Sequence, residues 1–224
     1  MKHQGQMSEA VSTGIFLTLS GGFQDAYTYY CRGRVFANAQ TGNIVLLGHN
    51  IMNGDFANAL RYLMPVLAFA GGVYGAEVIR GLYKEYQKLH WRQIVVVIEI
   101  ILLFLSGFFP QSANMAANML ISFVCAMQVE TFRKMKGSAF ASTMCIGNLR
   151  SATEMLYRFR HTKEREDFRK CLRYYSVILI FAVGAAAGSL MTSWFAERTI
   201  WVSCGLLFVC FCIMFVKEEE ESRA

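Results

Sequence analysis

The chain has 224 residues, 54% apolar and 17% charged, with a mean hydropathy of +0.33 and a formal net charge of +6. An ordinary soluble domain carries ~25% charged residues, and two prolines among 18 phenylalanines exclude a disordered chain. At ~20 mostly apolar residues per crossing helix, the composition has material for about six spans, in one integral membrane domain covering residues 1–224.

Apolar runs fall at about 11–30, 60–79, 93–109, 114–132, 174–193 and 199–216. Two further segments, about 35–52 and 138–157, are only half apolar and carry Asn, Gln, His and Gly. The expected fold is therefore all-α: a polytopic membrane helix bundle with six spans and two broken or re-entrant segments.

In the first run Gly14, Thr18, Gly21, Asp25 and Thr28 recur at helical spacing, with Gln24 beside them. Lipid cannot satisfy such a stripe, so it faces protein or water. The weak segment that follows carries Gln40, Thr41, Gly42 and Asn43, where Gly permits a break and freed backbone groups become able to bind a ligand or ion.

The third run contains Glu99 between Val95 and Leu103, with no polar neighbour in sequence. An ionised carboxylate at that depth costs ~2.5–3.5 kcal/mol on insertion scales, so Glu99 is expected to turn inward. A carboxyl that exchanges protons inside the membrane is the part a proton-coupled transporter needs. The fourth run repeats the polar stripe with Asn114, Asn118, Ser122, Cys125 and Gln128, and the second weak segment holds Gly147 and Asn148. Close-packing signals stand at Gly71/Gly75 and Gly184/Gly188.

Residues 11–110 and 114–216 read as an internal repeat. Asp55-Phe-x-x-x-Leu-Arg-Tyr62 recurs as Asp167-Phe-x-x-x-Leu-Arg-Tyr174 at an offset of 112. Gln24 and Phe36 align with Gln128 and Phe140 at an offset of 104, and Gly42-Asn43 with Gly147-Asn148 at 105. Three spans per half make the halves inverted, an arrangement common in transporters.

Loop charges give the orientation. Arg80, Lys84, Lys88, Arg92 and the basic 133–173 region share one side, which holds 12 of the chain's charged residues between Arg150 and Arg173 alone. That bias places both termini in the cytoplasm and excludes a nucleic-acid surface. Seven scattered cysteines without C-x-x-C spacing predict neither a metal site nor a disulfide framework, and no cofactor is expected.

The motifs Gly22-x-x-Asp25-Ala26 and Phe36-x-x-x-x-Thr41-Gly42-Asn43 resemble the signature of the YoaK family, small bacterial integral membrane proteins of a domain-of-unknown-function group. The resemblance covers nearly the whole chain. It implies a multi-pass protein of the bacterial inner membrane, with Asp25, Thr41, Gly42 and Asn43 as signature positions, and it supplies no activity. The second half departs from the pattern by carrying Cys145-Ile-Gly-Asn148.

No enzyme signature is present. The residues point to a transporter of a small solute or ion, proton coupling included. Its pathway is expected along Asp25, Gln24, Thr28, Gln40, Thr41, Gly42, Asn43, Glu99, Gln128 and Asn148. The competing reading is a non-transporting assembly or sensory partner. The lipid bilayer is the expected environment, and a homo-oligomer fits either reading.

Overall fold

A computed structural model of the chain describes residues 11–83, 90–135, 138–139 and 142–222. Lys84, Lys88 and Phe140, which enter the loop-charge and repeat arguments, lie outside the described residues. The fold is a helical membrane bundle of eight helices among the described residues: α1 (Val11–Cys31), α2 (Gln40–Met52), α3 (Phe56–Tyr83), α4 (Trp91–Ser106), α5 (Asn114–Thr131), α6 (Cys145–Thr162), α7 (Arg165–Phe195) and α8 (Ile200–Ser222). A two-residue antiparallel pairing, Lys134–Met135 with Ser138–Ala139, precedes α6.

Three stretches are long and apolar enough to cross a membrane: Phe56–Tyr83, Gln111–Thr131 and Arg165–Met214. The last holds α7 and most of α8, joined through the short 3-10 turn Ala196–Thr199.

Hydrogen bonds fix the relative direction of the helices. Asn118 of α5 bonds the Arg32 carbonyl just past α1, Cys125 bonds Gln24, and Gln128 bonds the Leu17 carbonyl, so α1 and α5 run antiparallel. Glycines set the closest approaches. A Cβ at Gly22 would strike the Phe181 carbonyl, and one at Gly184 would strike the Leu19 carbonyl, so α1 and α7 pack backbone to backbone. Between α3 and α5, Gly72 meets the Phe123 carbonyl in the same way. Gly71 and Gly75 instead make room for the Phe123 ring. The close-packing signal thus holds for Gly184 and Gly188, but in the first half the contact is made by Gly72, which lies inside the motif.

The six long helices alternate between two ends. One end gathers Val11 of α1, Glu77 and Arg80 of α3, Trp91 of α4, Arg133 just past α5, and the start of α7. Glu77 bridges to Arg80 and Arg133 there, Arg80 lies over the Trp91 ring, and Val11 packs on Val177. At the other end Arg32, fully buried, joins three helix termini. It donates to the Ser106 and Phe109 carbonyls at the close of α4, to Asn114 at the head of α5, and to the Tyr27 hydroxyl. A cation placed on the last carbonyls of a helix answers its dipole.

The two weak segments are re-entrant. After α1 the chain turns back and lies alongside it, so that the Asn38 side chain bonds the carbonyl of Gly21, the midpoint of α1. From there α2 returns to the end it came from, its 13 residues spanning about 20 Å at 1.5 Å each. In the other half Ser142 reaches Gln128, and Thr143 lies over Gly21. From that depth α6 runs out to the opposite end, where Arg158 meets Asp167. Each helix is continuous: Gly42 and Gly147 sit in the first turns of α2 and α6, and the interruption expected at them lies upstream, in the non-helical stretch leading to each helix.

Candidate functional site at mid-depth

Non-helical backbone at membrane depth is tolerated only where protein satisfies its polar groups. The turn before α2 meets that condition with the residues of the signature. Asp25 Oδ1 accepts the Asn38 N–H at 2.7 Å. Asn43, fully buried, receives the Phe36 N–H on its Oδ1 and donates its Nδ2 to the Phe36 carbonyl at 2.7 Å. Gln40 donates to the Ala37 carbonyl and accepts from Asn43, and Arg61 of α3 donates to the carbonyl of Gly33, whose φ of +84° favours glycine. Gly42 lies against the Phe36 ring. Thr41 faces outward, exposed, and Thr28 bonds back to the Gln24 and Asp25 carbonyls of its own helix.

Beside this turn lies a closed polar cluster. Gln24 donates to Ser20 and Ser203 at 2.8 and 3.1 Å, the two serine hydroxyls are 2.6 Å apart, and Cys125 donates to the side-chain Oε1 of Gln24 at 2.9 Å. Cys125 lies within electrostatic reach of both Asp25 and Glu99. Glu99 does turn inward: it is fully buried, with neither carboxylate oxygen hydrogen-bonded. Asn118 Oδ1, Ser122 Oγ and Gln128 Oε1 on the α5 stripe are also buried without a partner. Asn148 is buried in the first turn of α6. Glu130 forms an ion pair with Arg133 at 3.1 Å, at the basic end.

Two openings lead toward this region. A polar vestibule of about 530 Å³ at the Arg32 end is lined by Tyr29, Tyr30, Arg34, Gln111 and Asn114 among others. A cleft of about 450 Å³ is lined by Asp25, Tyr29, Tyr30, Phe36, Phe181 and Ser189 among others. Tyr29 and Tyr30 line both, so the vestibule adjoins the cleft. Of the α5 stripe only Asn114, at the head of the helix, lines an opening, and Asn43 lines neither. The structure thus brings Asp25 and the re-entrant turn to one cleft, holds Gln24 and Gln128 behind it, and leaves Glu99 deeper among α4, α5 and α8.

The arginine at position 32, Ser20, Ser203 and the rings of Tyr29 and Phe36 escape a reading of sequence. Each has a partner between 7 and 183 positions away, which no local spacing announces.

The family described as "Protein of unknown function (DUF1275)" matches residues 13–213. "UPF0700 transmembrane protein YoaK" of Bacillus subtilis (strain 168) is 28% identical over 205 residues, covering 86% of this chain and 88% of that one. No solved structure matches.

Proposed function

We propose that this chain, which belongs to the DUF1275 family, moves a small solute or ion across the bacterial inner membrane through a polar site between two inverted halves. The observation that carries the reading is the convergence at Asp25. A cleft reaches this carboxylate at mid-depth, and the turns that start both re-entrant helices lie beside the same stretch of α1. Re-entrant segments that meet at mid-depth are the usual way a membrane protein presents backbone and polar groups to a passing solute.

The inverted repeat draws support from packing. Gly72 and Gly184 are 112 residues apart, and the carbonyls they meet, Phe123 and Leu19, are 104 apart, the two offsets read in the sequence. The antiparallel run of α1 and α5 fits inversion, and so does the departure of α2 and α6 toward opposite ends. Proton coupling rests on the two interior carboxyls, Asp25 and Glu99. The end rich in Arg80, Arg133, Arg165, Arg169 and Arg173 faces the cytoplasm under the positive-inside rule, with both termini there.

Thiol access tests the pathway. Ala185→Cys and Ser189→Cys, both part-exposed in the cleft wall, should react in intact cells with a membrane-impermeant thiol reagent added from outside, well above the background of the native protein. Cysteines at Ala117 and Ala126, fully buried on α5, should stay unreactive. Silence at both cleft positions would remove the pathway and leave the assembly-partner reading, which needs no water-filled route.

A further inference from the structure

The lining of the Asp25 cleft has a chemistry of its own, and we infer that it binds an organic cation, a quaternary or aromatic ammonium; this assignment of substrate class rests on the pathway reading above. The cleft holds one carboxylate, and no basic side chain pairs with Asp25 among the described residues. The amino end of α2 supplies about half a positive charge at most, and the backbone N–H groups of Ala37, Asn38 and Ala39 that bond the carboxylate are neutral donors, so no full positive charge answers it. Arg34 lines the outer vestibule, exposed, and is not part of the cleft.

The remaining walls are aromatic or small. The Tyr29 and Phe36 rings stack with centroids 4.7 Å apart and planes at 22°, and Tyr30 meets Tyr29 edge-on at 5.3 Å. Phe181 closes another side, and Ala185 and Ala186 leave the room. Ring faces attract a cation placed within about 6 Å. An anion would meet Asp25 uncompensated. A sugar would find few hydrogen-bonding groups besides the tyrosine hydroxyls, Ser189 and Asp25. A lipophilic ammonium satisfies the carboxylate and the rings together, and about 450 Å³ accommodates one with a single aromatic ring.

Benzyltrimethylammonium and its uncharged isostere neopentylbenzene separate charge from shape. Calorimetry on the detergent-solubilised full chain should detect the cation, with neopentylbenzene binding at least ten-fold more weakly. Asp25→Asn should weaken the cation at least ten-fold. Tyr29→Leu should weaken it several-fold while Tyr29→Phe, which keeps the ring face, leaves it unchanged. Ala186→Leu fills the cleft without touching the Asn38 hydrogen bond and should abolish binding even if Asp25→Asn fails to fold. The cation should also protect Ser189→Cys from the thiol reagent. Equal binding of both probes, or no binding to a protein whose Ser189→Cys is reactive, overturns the substrate class while leaving the pathway in place. Unreactive cleft cysteines defeat the pathway itself.

Discussion

At Asn43 one carboxamide closes a ring with Phe36, taking its N–H and returning a bond to its carbonyl. A buried backbone group left unpaired costs about 1–3 kcal/mol, and Asn43→Ala would strand two at membrane depth. The expected loss is about 2–6 kcal/mol by that measure, read as a lower midpoint of thermal unfolding in detergent; an unchanged midpoint would mean that the turn finds other partners. Thr41→Val, at an exposed neighbour in the same motif, should change stability little. Arg32 makes a harsher case. Its guanidinium holds carbonyls at the close of α4, Asn114 and Tyr27, with no carboxylate in direct ion-pair contact among the described residues. Arg32→Met should destabilise by about 3–5 kcal/mol, the scale of breaking a buried charged network. Arg32→Lys should recover only part, since an ammonium cannot span the same fork of acceptors. Full recovery by Lys would show that charge alone matters there.

Among the elements, the crossing of α1 with α7 depends on missing side chains. Gly184→Val would drive its side chain into the Leu19 carbonyl, an overpacking that costs typically about 1–3 kcal/mol, and Gly72→Val should do the same against Phe123. Gly205, with nothing within 4 Å of a Cβ, supplies the control: Gly205→Ala should be neutral or slightly stabilising. Equal losses at all three positions would point to helix propensity rather than packing. The elements also show what a sequence can carry. The long apolar runs, the polar stripe on α1 and the inward turn of Glu99 follow from lipid's refusal of polar groups, a rule that acts residue by residue and is therefore legible. The turning back of the weak segments was legible only through the loop charges, half-apolar composition by itself leaving six or eight crossings open. Where their interruption falls was not: the Gly of Thr-Gly-Asn suggests a break at the glycine, yet Asn43 and Asp25 tie down the stretch before it, and that contact with α1 joins residues 13 apart. The role of Arg32 was hidden likewise, because a cation between two apolar runs reads as a loop charge until the carbonyls it serves, 74 to 77 positions on, are placed beside it. Gln128 was expected on the pathway, and it lies buried against α1, behind the cleft.

On the scale of the whole molecule, the two re-entrant segments make the topology testable. Since α2 starts at mid-depth beside Asp25 and returns to the end it came from, a reporter fused after Met52 reads the Arg32 end of the bundle. A reporter fused after Lys88, one crossing later through α3, reads the basic end. Under the proposed orientation the first is periplasmic and the second cytoplasmic, and a fusion after Lys163, beyond α6, is cytoplasmic as well, because α6 also returns to its own side. A chain of eight full crossings makes a different pattern: with a cytoplasmic N-terminus it would put Met52 in the cytoplasm and Lys88 outside. Removing the charges of Arg165, Arg169 and Arg173 together should weaken the orientation, seen as mixed labelling at Lys88, because the positive-inside bias counts basic residues near the span ends and not carboxylates. Unmixed labelling after that change would mean that Arg80, Arg133 and the α6 arginines suffice, and removing those as well should then flip the Lys88 signal. A periplasmic signal after Lys88 in the unaltered chain would sink both the orientation and the assignment of the Asp25 cleft to the outer face.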